Sequence, residues 1–237
     1  MSGWKAKRFW KAAAVVPAGG GFGVELDGRP VRTPGKGALV VPTRAMAEAI
    51  AAEWDAQEGQ IRPLTMPVTR AANSALEKVR PQREGVAAML ADYGDSDLLC
   101  YRAPAPEELA ARQAEAWDPL LDWAACTFGA RLVPVTGVIH APQPPEALAR
   151  LREAVLAHDE FALTALHDLV TLSGSLVIGL AAMEGHQPAE RLWEISRIDE
   201  EWQAALWGRD EEAEAAAALK RAAFLDARRF HELGLAR

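Results

Sequence analysis

The apolar residues of this chain change their spacing near residue 42, and that change requires two kinds of secondary structure. Before it, short apolar runs are separated by glycine-rich and Asp-Gly turns, a pattern typical of antiparallel strands joined by hairpins. After it, apolar side chains such as Met46 and Ile50 recur at helical spacing. We therefore predict an α+β fold. A small β-rich domain with one or two helices is expected in residues 1–80, followed by a mostly α-helical domain in residues 81–237.

Turn and capping residues set the limits of the expected elements. Thr43 is a suitable N-cap for the first helix, and Gly129 is a suitable stop for a long one. A first strand is expected over residues 9–16, and a second helix over residues 68–79 that ends before Pro81. The further helices are expected over residues 82–93, 106–128, 145–157, 160–183, 188–207 and 210–232. Within the helix 160–183, Gly174, Ser175 and Gly179 indicate either close helix packing or a break.

Charge and composition argue against several classes of protein. The sequence has no apolar run of about 18 residues, so we expect no membrane insertion. Residues 1–80 hold 12 Lys and Arg against 7 Asp and Glu, but these basic residues are scattered and form no basic aromatic array. No nucleic-acid partner is therefore expected. Cys100 and Cys126 match no metal or redox spacing, which predicts reduced thiols in a cytosol.

No segment shows the pattern of a catalytic or metal site. The glycine cluster Gly19–Gly23 joins two expected strands and does not open a helix, so it lacks the context of a phosphate-binding loop. The five histidines show no zinc spacing. His167 and Asp168 precede Ser175, but no Gly-x-Ser-x-Gly turn presents that serine. A hydrolase that uses His167 and Asp168 stays an alternative, because catalytic residues can come from distant segments.

Three of the eight tryptophans lie in the expected helix 188–207. Its apolar residues form a broad stripe, and Asp199 falls within that stripe. Trp193, Glu200 and Trp207 recur at seven-residue spacing and form a second line across the helix. A carboxylate in a buried stripe is costly unless it is paired. Asp199 therefore either pairs with an arginine of a neighbouring helix or, with the acids beside it, meets basic groups of a partner.

Five segments of the chain stand out by their sequence and their order. They are Glu53–Gln57, Leu64–Thr69, Asp97–Arg102, Trp117–Trp123 and Ser196–Gln203, the last followed by Trp207 and Gly208. Together they resemble the assembly chaperones of the F1-ATPase alpha subunit. The resemblance implies a small β-rich domain joined to a helical one, no catalytic activity and no cofactor. It also implies a partner, the unassembled alpha subunit of F1 ATP synthase, which the chaperone keeps from aggregating until beta subunits displace it.

The resemblance bears on location and on the binding residues. Its eukaryotic members are mitochondrial, in the matrix, whereas this sequence shows no transit peptide, so we expect a bacterial, cytoplasmic protein. A monomer is favoured because a client must find its surface free, and a generic helical adaptor is a further alternative. The family's Glu-Trp-Asp tryptophan and its acidic cluster fall on Trp54 and on Asp199, Glu200 and Glu201. With the helix pattern, the expected partner-binding set is Trp54, Trp193, Asp199, Glu200, Glu201, Trp202 and Trp207.

Overall fold

The computed structural model describes residues 7–236, so residues 1–6, which bear on the expected lack of a transit peptide, lie outside it. The described residues form two compact units. Among the described residues, the first contains residues 7–82, Glu160–Thr164 and residues 229–236. The second contains Arg83–Asp159 and Ala165–Arg228. The predicted α+β fold is confirmed, and the division into domains at residue 80 stays a prediction.

The first unit begins with a three-stranded antiparallel sheet. Its strands are β1 (Ala13–Ala18), β2 (Gly21–Leu26) and β3 (Arg29–Pro30), in that order. The predicted strand over residues 9–16 starts too early. The carboxylate of Asp27 accepts the backbone N–H groups of Lys11 and Ala12, so these N–H groups bond to a side chain and not to the carbonyls of a neighbouring strand.

Helix α1 (Arg44–Asp55) packs on the first two strands of this sheet. Thr43 caps it as predicted, since its hydroxyl accepts the N–H of Met46 at 3.1 Å. Helix α2 (Pro67–Ser74) follows. The predicted stop before Pro81 is wrong, because a π turn and a 3-10 turn carry the helical chain past the proline. These turns pair N–H groups with different carbonyls from those of an α-helix. Proline has no N–H to donate, so it fits where no carbonyl needs one.

The second unit is helical, and α7 lies at the centre of its core. All eight residues of α7 are buried, and it packs against α4 and α8. Two short parallel strands, β4 (Tyr101–Arg102) and β5 (Val135–Thr136), pair beside α4. The helices from α3 onward are α3 (Arg83–Asp92), α4 (Glu107–Phe128), α5 (Pro145–Leu156), α6 (Glu160–Ser173), α7 (Leu176–Met183), α8 (Ala189–Ser196), α9 (Ile198–Trp207) and α10 (Glu211–Leu235).

Two predicted helices are each split in the structure. The helix expected over residues 160–183 breaks at Gly174, whose φ of 74° is left-handed, and Ser175 then caps α7 through the N–H of Ile178. The helix expected over residues 188–207 breaks at Arg197, which has a φ of −110° and a ψ of 13°. Helices α8 and α9 therefore present separate faces, and an apolar stripe drawn along one axis does not describe them.

Candidate functional site

Two of the five family-like segments meet in the first unit. Glu53 in α1 caps α2, since its carboxylate accepts the N–H groups of Val68 and Thr69 at 2.7 and 2.8 Å. The side-chain amide of Gln57 donates to the hydroxyl of Thr65 at 3.2 Å, and its carbonyl oxygen accepts the N–H of Arg62. The segments around Glu53 and Thr65 thus fix each other, and their sequence is explained by local folding.

The predicted binding residue Trp54 lies in the same region and is half-buried. Its ring meets Trp10 edge to face, with ring centroids 5.2 Å apart, and Trp10 is 3% exposed. Neither indole N–H has a hydrogen-bond acceptor among the described residues. Asp55, beside it, accepts the N–H of Ala13 at the start of β1. Trp54 therefore packs the end of α1 against the chain that enters the sheet.

The other three family-like segments meet in the second unit around Trp117 of α4, which is fully buried. Its indole N–H donates to the carbonyl of Ile195 in α8 at 3.0 Å. Arg102 lies over the Trp117 ring and pairs with Asp118 at 2.6 Å. One buried tryptophan thus joins the 97–102 segment, helix α4 and the residues just before α9.

Asp199, in the first turn of α9, has a partner that differs from the predicted arginine. The side-chain amide of Gln113 in α4 donates to its Oδ1 at 2.6 Å. Gln113 is 1% exposed, and its own carbonyl oxygen accepts the N–H of Ala103 at 2.8 Å. A buried amide can bridge a backbone donor and a carboxylate without bringing a second charge out of water, whereas an arginine would have to be desolvated with the acid.

The two acids that follow are held at the surface by arginines. Glu200 pairs with Arg197 at 2.6 Å, one turn back. Glu201 pairs with Arg209 at 3.0 Å, and the same arginine pairs with Glu214 of α10 at 2.8 Å. The hydrogen bond that Arg209 donates to Glu214, followed by the charge of Glu201, raises the pKa of Arg209. Arg209 thus ties α9 to the start of α10.

The three predicted tryptophans of this region lie in different environments. Trp193 is 5% exposed and packs against Phe224 of α10, with Arg197 over its ring. Trp202 is half-buried, and Trp207 is 80% exposed. The predicted line of Trp193, Glu200 and Trp207 along one helix is wrong. The helix is interrupted at Arg197, so Trp193 lies in α8, whereas Glu200 and Trp207 lie in α9.

Helix α9 lies between two grooves of the second unit. One, of about 620 Å³, is lined by Trp193, Ile198, Glu201 and Arg209 among others. The other, of about 500 Å³, is lined by Asp199, Gln203, Gln113 and Arg102 among others. Asp199 and Glu201 therefore face different grooves, although they lie two residues apart. The acidic cluster presents two distinct surfaces.

The matches with known proteins decide which family this arrangement belongs to. The family described as "ATP12 chaperone protein" matches residues 7–125. A crystal structure of Atp12 from Paracoccus denitrificans is 56% identical, covers 98% of this chain and 99% of its own, and superposes with a TM-score of 0.95. The chain belongs to the ATP12 chaperone family.

Two further proteins are similar to this chain over most of its length. A crystal structure of a protein from Agrobacterium tumefaciens is 42% identical, covers 95% of this chain and 85% of its own, and has a TM-score of 0.92. Mitochondrial protein atp12 of Schizosaccharomyces pombe is 25% identical over 219 residues, which are 87% of this chain and 75% of that protein. The resemblance to the F1-ATPase assembly chaperones is confirmed, and with it the prediction that the chain is not an enzyme.

The residues of the alternative hydrolase, His167, Asp168 and Ser175, lie in two separate hydrogen-bonded arrangements. His167 and Asp168 form a partly exposed pair 2.9 Å apart on α6, and the hydrogen bond to the Asp168 carboxylate raises the pKa of His167. Ser173 donates to the carbonyl of Leu169, and Ser175 caps α7. Both serines therefore serve the backbone, and neither is paired with His167.

The described part of the chain contains neither a cluster of metal ligands nor a membrane-spanning helix. Over residues 7–236, no three His, Cys, Asp or Glu side chains come together as metal ligands would. No helix in that range is long and apolar enough to cross a bilayer. Cys100 and Cys126 are both free thiols, and burial raises the pKa of Cys100 to about 12.

Of the residues that shape this site, Gln113, Arg197 and Arg209 were missed by sequence reasoning. Arg197 and Glu200 stand three residues apart, the spacing at which charged side chains meet on a helix, so this pair had a readable signal. Arg209 acts across a turn, and Gln113 acts on a residue 86 positions away. No local pattern predicts either contact.

Proposed function

We propose that the chain binds the unassembled alpha subunit of F1-ATPase and keeps it from aggregating until a beta subunit takes its place. The observation that carries the proposal is membership in the ATP12 chaperone family over a nearly complete chain. An isolated alpha subunit exposes apolar surface that is meant for beta, and such surface drives aggregation. A cover that later leaves needs moderate affinity and a surface that mixes aromatic and charged groups.

The exposed part of α9 offers such a mixture, and we propose it as the client-binding surface. Glu200 and Glu201 are about half exposed, and they lie on the same helix as Trp202 and Trp207. Asp199 would contact the client from the groove of about 500 Å³ that it lines. Trp193 is buried, so its part in binding would be to hold α8 and α10 together. Trp54 would act through the fold of the first unit.

The client complex should need no cofactor, metal, nucleic acid or membrane, and we propose that the free chaperone is a monomer in a bacterial cytoplasm. The two bacterial relatives support this compartment, and so do the two free thiols. Sedimentation of the purified chain tests the monomer, and fractionation of the source cell tests the compartment.

The decisive experiment is capture from the cell in which the protein is made. The tagged chain should retain the F1 alpha subunit and leave beta behind. Purified alpha diluted from denaturant should scatter less light when an equimolar amount of the chain is present. If alpha aggregates at an unchanged rate, the proposal fails. If some other protein dominates the capture, a general helical adaptor explains the chain better.

A matched pair of variants separates client binding from folding. Glu200→Lys reverses a surface charge that is paired three residues back with Arg197. Glu153→Lys does the same on α5, where Glu153 pairs with Arg150 at the same spacing. Both acids are about half exposed or more, and surface pairs at this spacing contribute about 0.5 kcal/mol, so both variants should stay folded. Only Glu200→Lys should weaken retention of alpha, and equal effects from the two would argue against α9 as the binding surface.

A further inference from the structure

The corner between α9 and α10 carries two large apolar side chains in water. Trp207 is 80% exposed and Leu206 is 62% exposed. Trp207 is the one exposed tryptophan among residues 7–236, where the others are buried or half-buried. A tryptophan side chain can bury about 150–250 Å² in a contact, so leaving it in solvent forgoes a large stabilisation. Gly208, with a φ of 93°, turns the chain directly after Trp207.

Acidic side chains without ion-pair partners surround this apolar corner. Residues 199–214 contain seven Asp and Glu and a single Arg, in a chain whose net charge is −7. Glu201 and Glu214 share Arg209, and Glu200 has Arg197. Glu211 and Glu212 have no ion pair within residues 7–236, and the Asp210 carboxylate only caps the N–H of Ala213.

The first half of α10 continues the apolar surface away from the corner. Most residues from Glu211 to Ala222 are exposed, and many of them are alanines. Leu219 is 74% exposed. At 100° per residue, Ala215, Ala216 and Leu219 share the side that turns away from the 620 Å³ groove. Small side chains on this side let another helix approach closely.

We infer that the α9–α10 corner, defined as Leu206, Trp207, Asp210, Glu211 and Glu212, binds a basic amphipathic helix of the client. The apolar side of that helix would cover Trp207 and Leu206, and its Lys or Arg residues would meet the unpaired acids. This deepens the proposed function and rests on it, because it names the kind of client segment that the chaperone recognises. Exposed aromatics beside charges are typical of residues that dominate binding energy.

Charge complementarity also sets aside two other occupants of the corner. A second copy of the chain in a two-fold contact would place Glu211 and Glu212 against the same acids of its partner, which like-charge repulsion opposes. A bilayer surface with anionic lipids would repel the corner for the same reason. A basic partner removes both penalties and gains salt-sensitive attraction.

The test measures retention of the purified F1 alpha subunit by the full chain and by two independent variants of the corner. Trp207→Ala removes the exposed ring, and the double variant Glu211→Lys with Glu212→Lys reverses the unpaired acids. Each should weaken binding of alpha at least about tenfold, which corresponds to about 1.4 kcal/mol. The charge variant should also show a weaker dependence of affinity on salt.

Matched controls lie elsewhere on the chain. Glu107 and Glu108 are likewise two exposed acids in the first turn of a helix, α4, so their double reversal controls for net charge and for the helix dipole. Leu64→Ala removes an apolar side chain that is 83% exposed in the first unit. Both controls should bind alpha as the parent does.

The outcomes separate this inference from the proposed function. If the parent chain retains alpha and both corner variants retain it equally well, the corner is not the binding surface, although the function stands. If the parent does not retain alpha, both proposals fall. If sedimentation shows a parent dimer that Trp207→Ala converts to monomer, the corner belongs to a second copy and the inference is wrong. Loss of binding in both corner variants with native circular dichroism supports it.

Discussion

The side chain of Gln113 joins α4 to Asp199 at the start of α9, with its amide nitrogen 2.6 Å from the carboxylate. The same side chain accepts the N–H of Ala103 at 2.8 Å, so one buried amide is hydrogen-bonded both to the backbone at Ala103 and to the Asp199 carboxylate. Asp199 belongs to the acidic cluster for which the family resemblance predicts a role in binding. Its orientation is thus fixed by a residue that makes no contact with any client in this scheme.

Replacing Gln113 by Leu should destabilise the fold by about 2–4 kcal/mol, because it leaves the Ala103 N–H and the Asp199 carboxylate without their partner. Asp199→Asn should cost less than about 1.5 kcal/mol, because its amide oxygen can still accept the hydrogen bond. Urea unfolding of both variants measures this difference. Gln203→Leu, at an exposed position of the same groove, is the control. Similar unfolding midpoints for the two Leu variants would contradict the bridging role.

Trp54 should matter through packing, and the indole N–H should contribute nothing to stability. Trp54→Ala should lower the free energy of unfolding by about 2–4 kcal/mol, because it removes the ring that meets Trp10. Trp54→Phe keeps an aromatic ring and gives up no hydrogen bond within the described residues, so it should cost about 1.5 kcal/mol or less. Thermal unfolding ranks the two. A folded Trp54→Phe variant that no longer retains alpha would instead show that the indole contacts the client.

Two helical glycines should respond to alanine with opposite signs. A Cβ at Gly179 of α7 would lie 2.6 Å from the Cγ2 of Val170 in α6, a β-branched side chain with little freedom to move. Gly179→Ala should therefore destabilise by about 1–3 kcal/mol. A Cβ at Gly85 of α3 meets nothing within 4 Å, so Gly85→Ala should stabilise by about 0.5–1 kcal/mol. Calorimetry of both variants checks the signs, and a stabilised Gly179→Ala would mean that α6 and α7 can separate.

Periodicity predicted most helices of this fold, with a break at Gly174 and Ser175 as one of two interpretations, and missed the break at Arg197. The helix predicted over residues 145–157 is found as Pro145–Leu156, because a proline at its start and an apolar face define it locally. The break at Gly174 lies in a run that is apolar on all sides, so no change of face marks it. The signal was the small residues Gly174 and Ser175, which also fit close helix packing, and Ser175 is a good N-cap residue. The break at Arg197 has no comparable marker.

The sequence predicted which residues belong to the candidate site. It did not predict how buried each residue is or which groove it faces. The sequence could bring Asp199, Glu200 and Glu201 together, because they are consecutive. It could not show that Asp199 and Glu201 face different grooves, because that depends on how α9 lies against the rest of the second unit. Nor could it separate buried Trp193 from exposed Trp207, because both follow the same spacing until the helix breaks. Long-range packing, and not local preference, decides these points.

Asp97 should make the stability of the second unit depend on pH. Its side chain is 0% exposed and accepts the N–H groups of Leu99 and of Val177, near the start of α7. Loss of hydration outweighs these hydrogen bonds and raises the pKa of Asp97 above its ordinary value of 3.8. In the pH range just above 3.8, the folded chain therefore keeps a proton that the unfolded chain has lost. This contribution to stability falls as pH rises through that range and levels off above the folded pKa.

The variant Asp97→Asn isolates this effect, because an amide does not titrate. Other carboxylates contribute equally to parent and variant, so the quantity to follow is the unfolding free energy of Asp97→Asn minus that of the parent. It should increase as pH is raised above 3.8, since only the parent loses its proton. Because Asp97→Asn also removes a charge and one acceptor oxygen, the test uses the slope of this difference with pH and not its absolute value. Urea unfolding from pH 4 to neutrality measures it, and a difference that decreases over this range would mean that the backbone donors hold the folded pKa below its ordinary value.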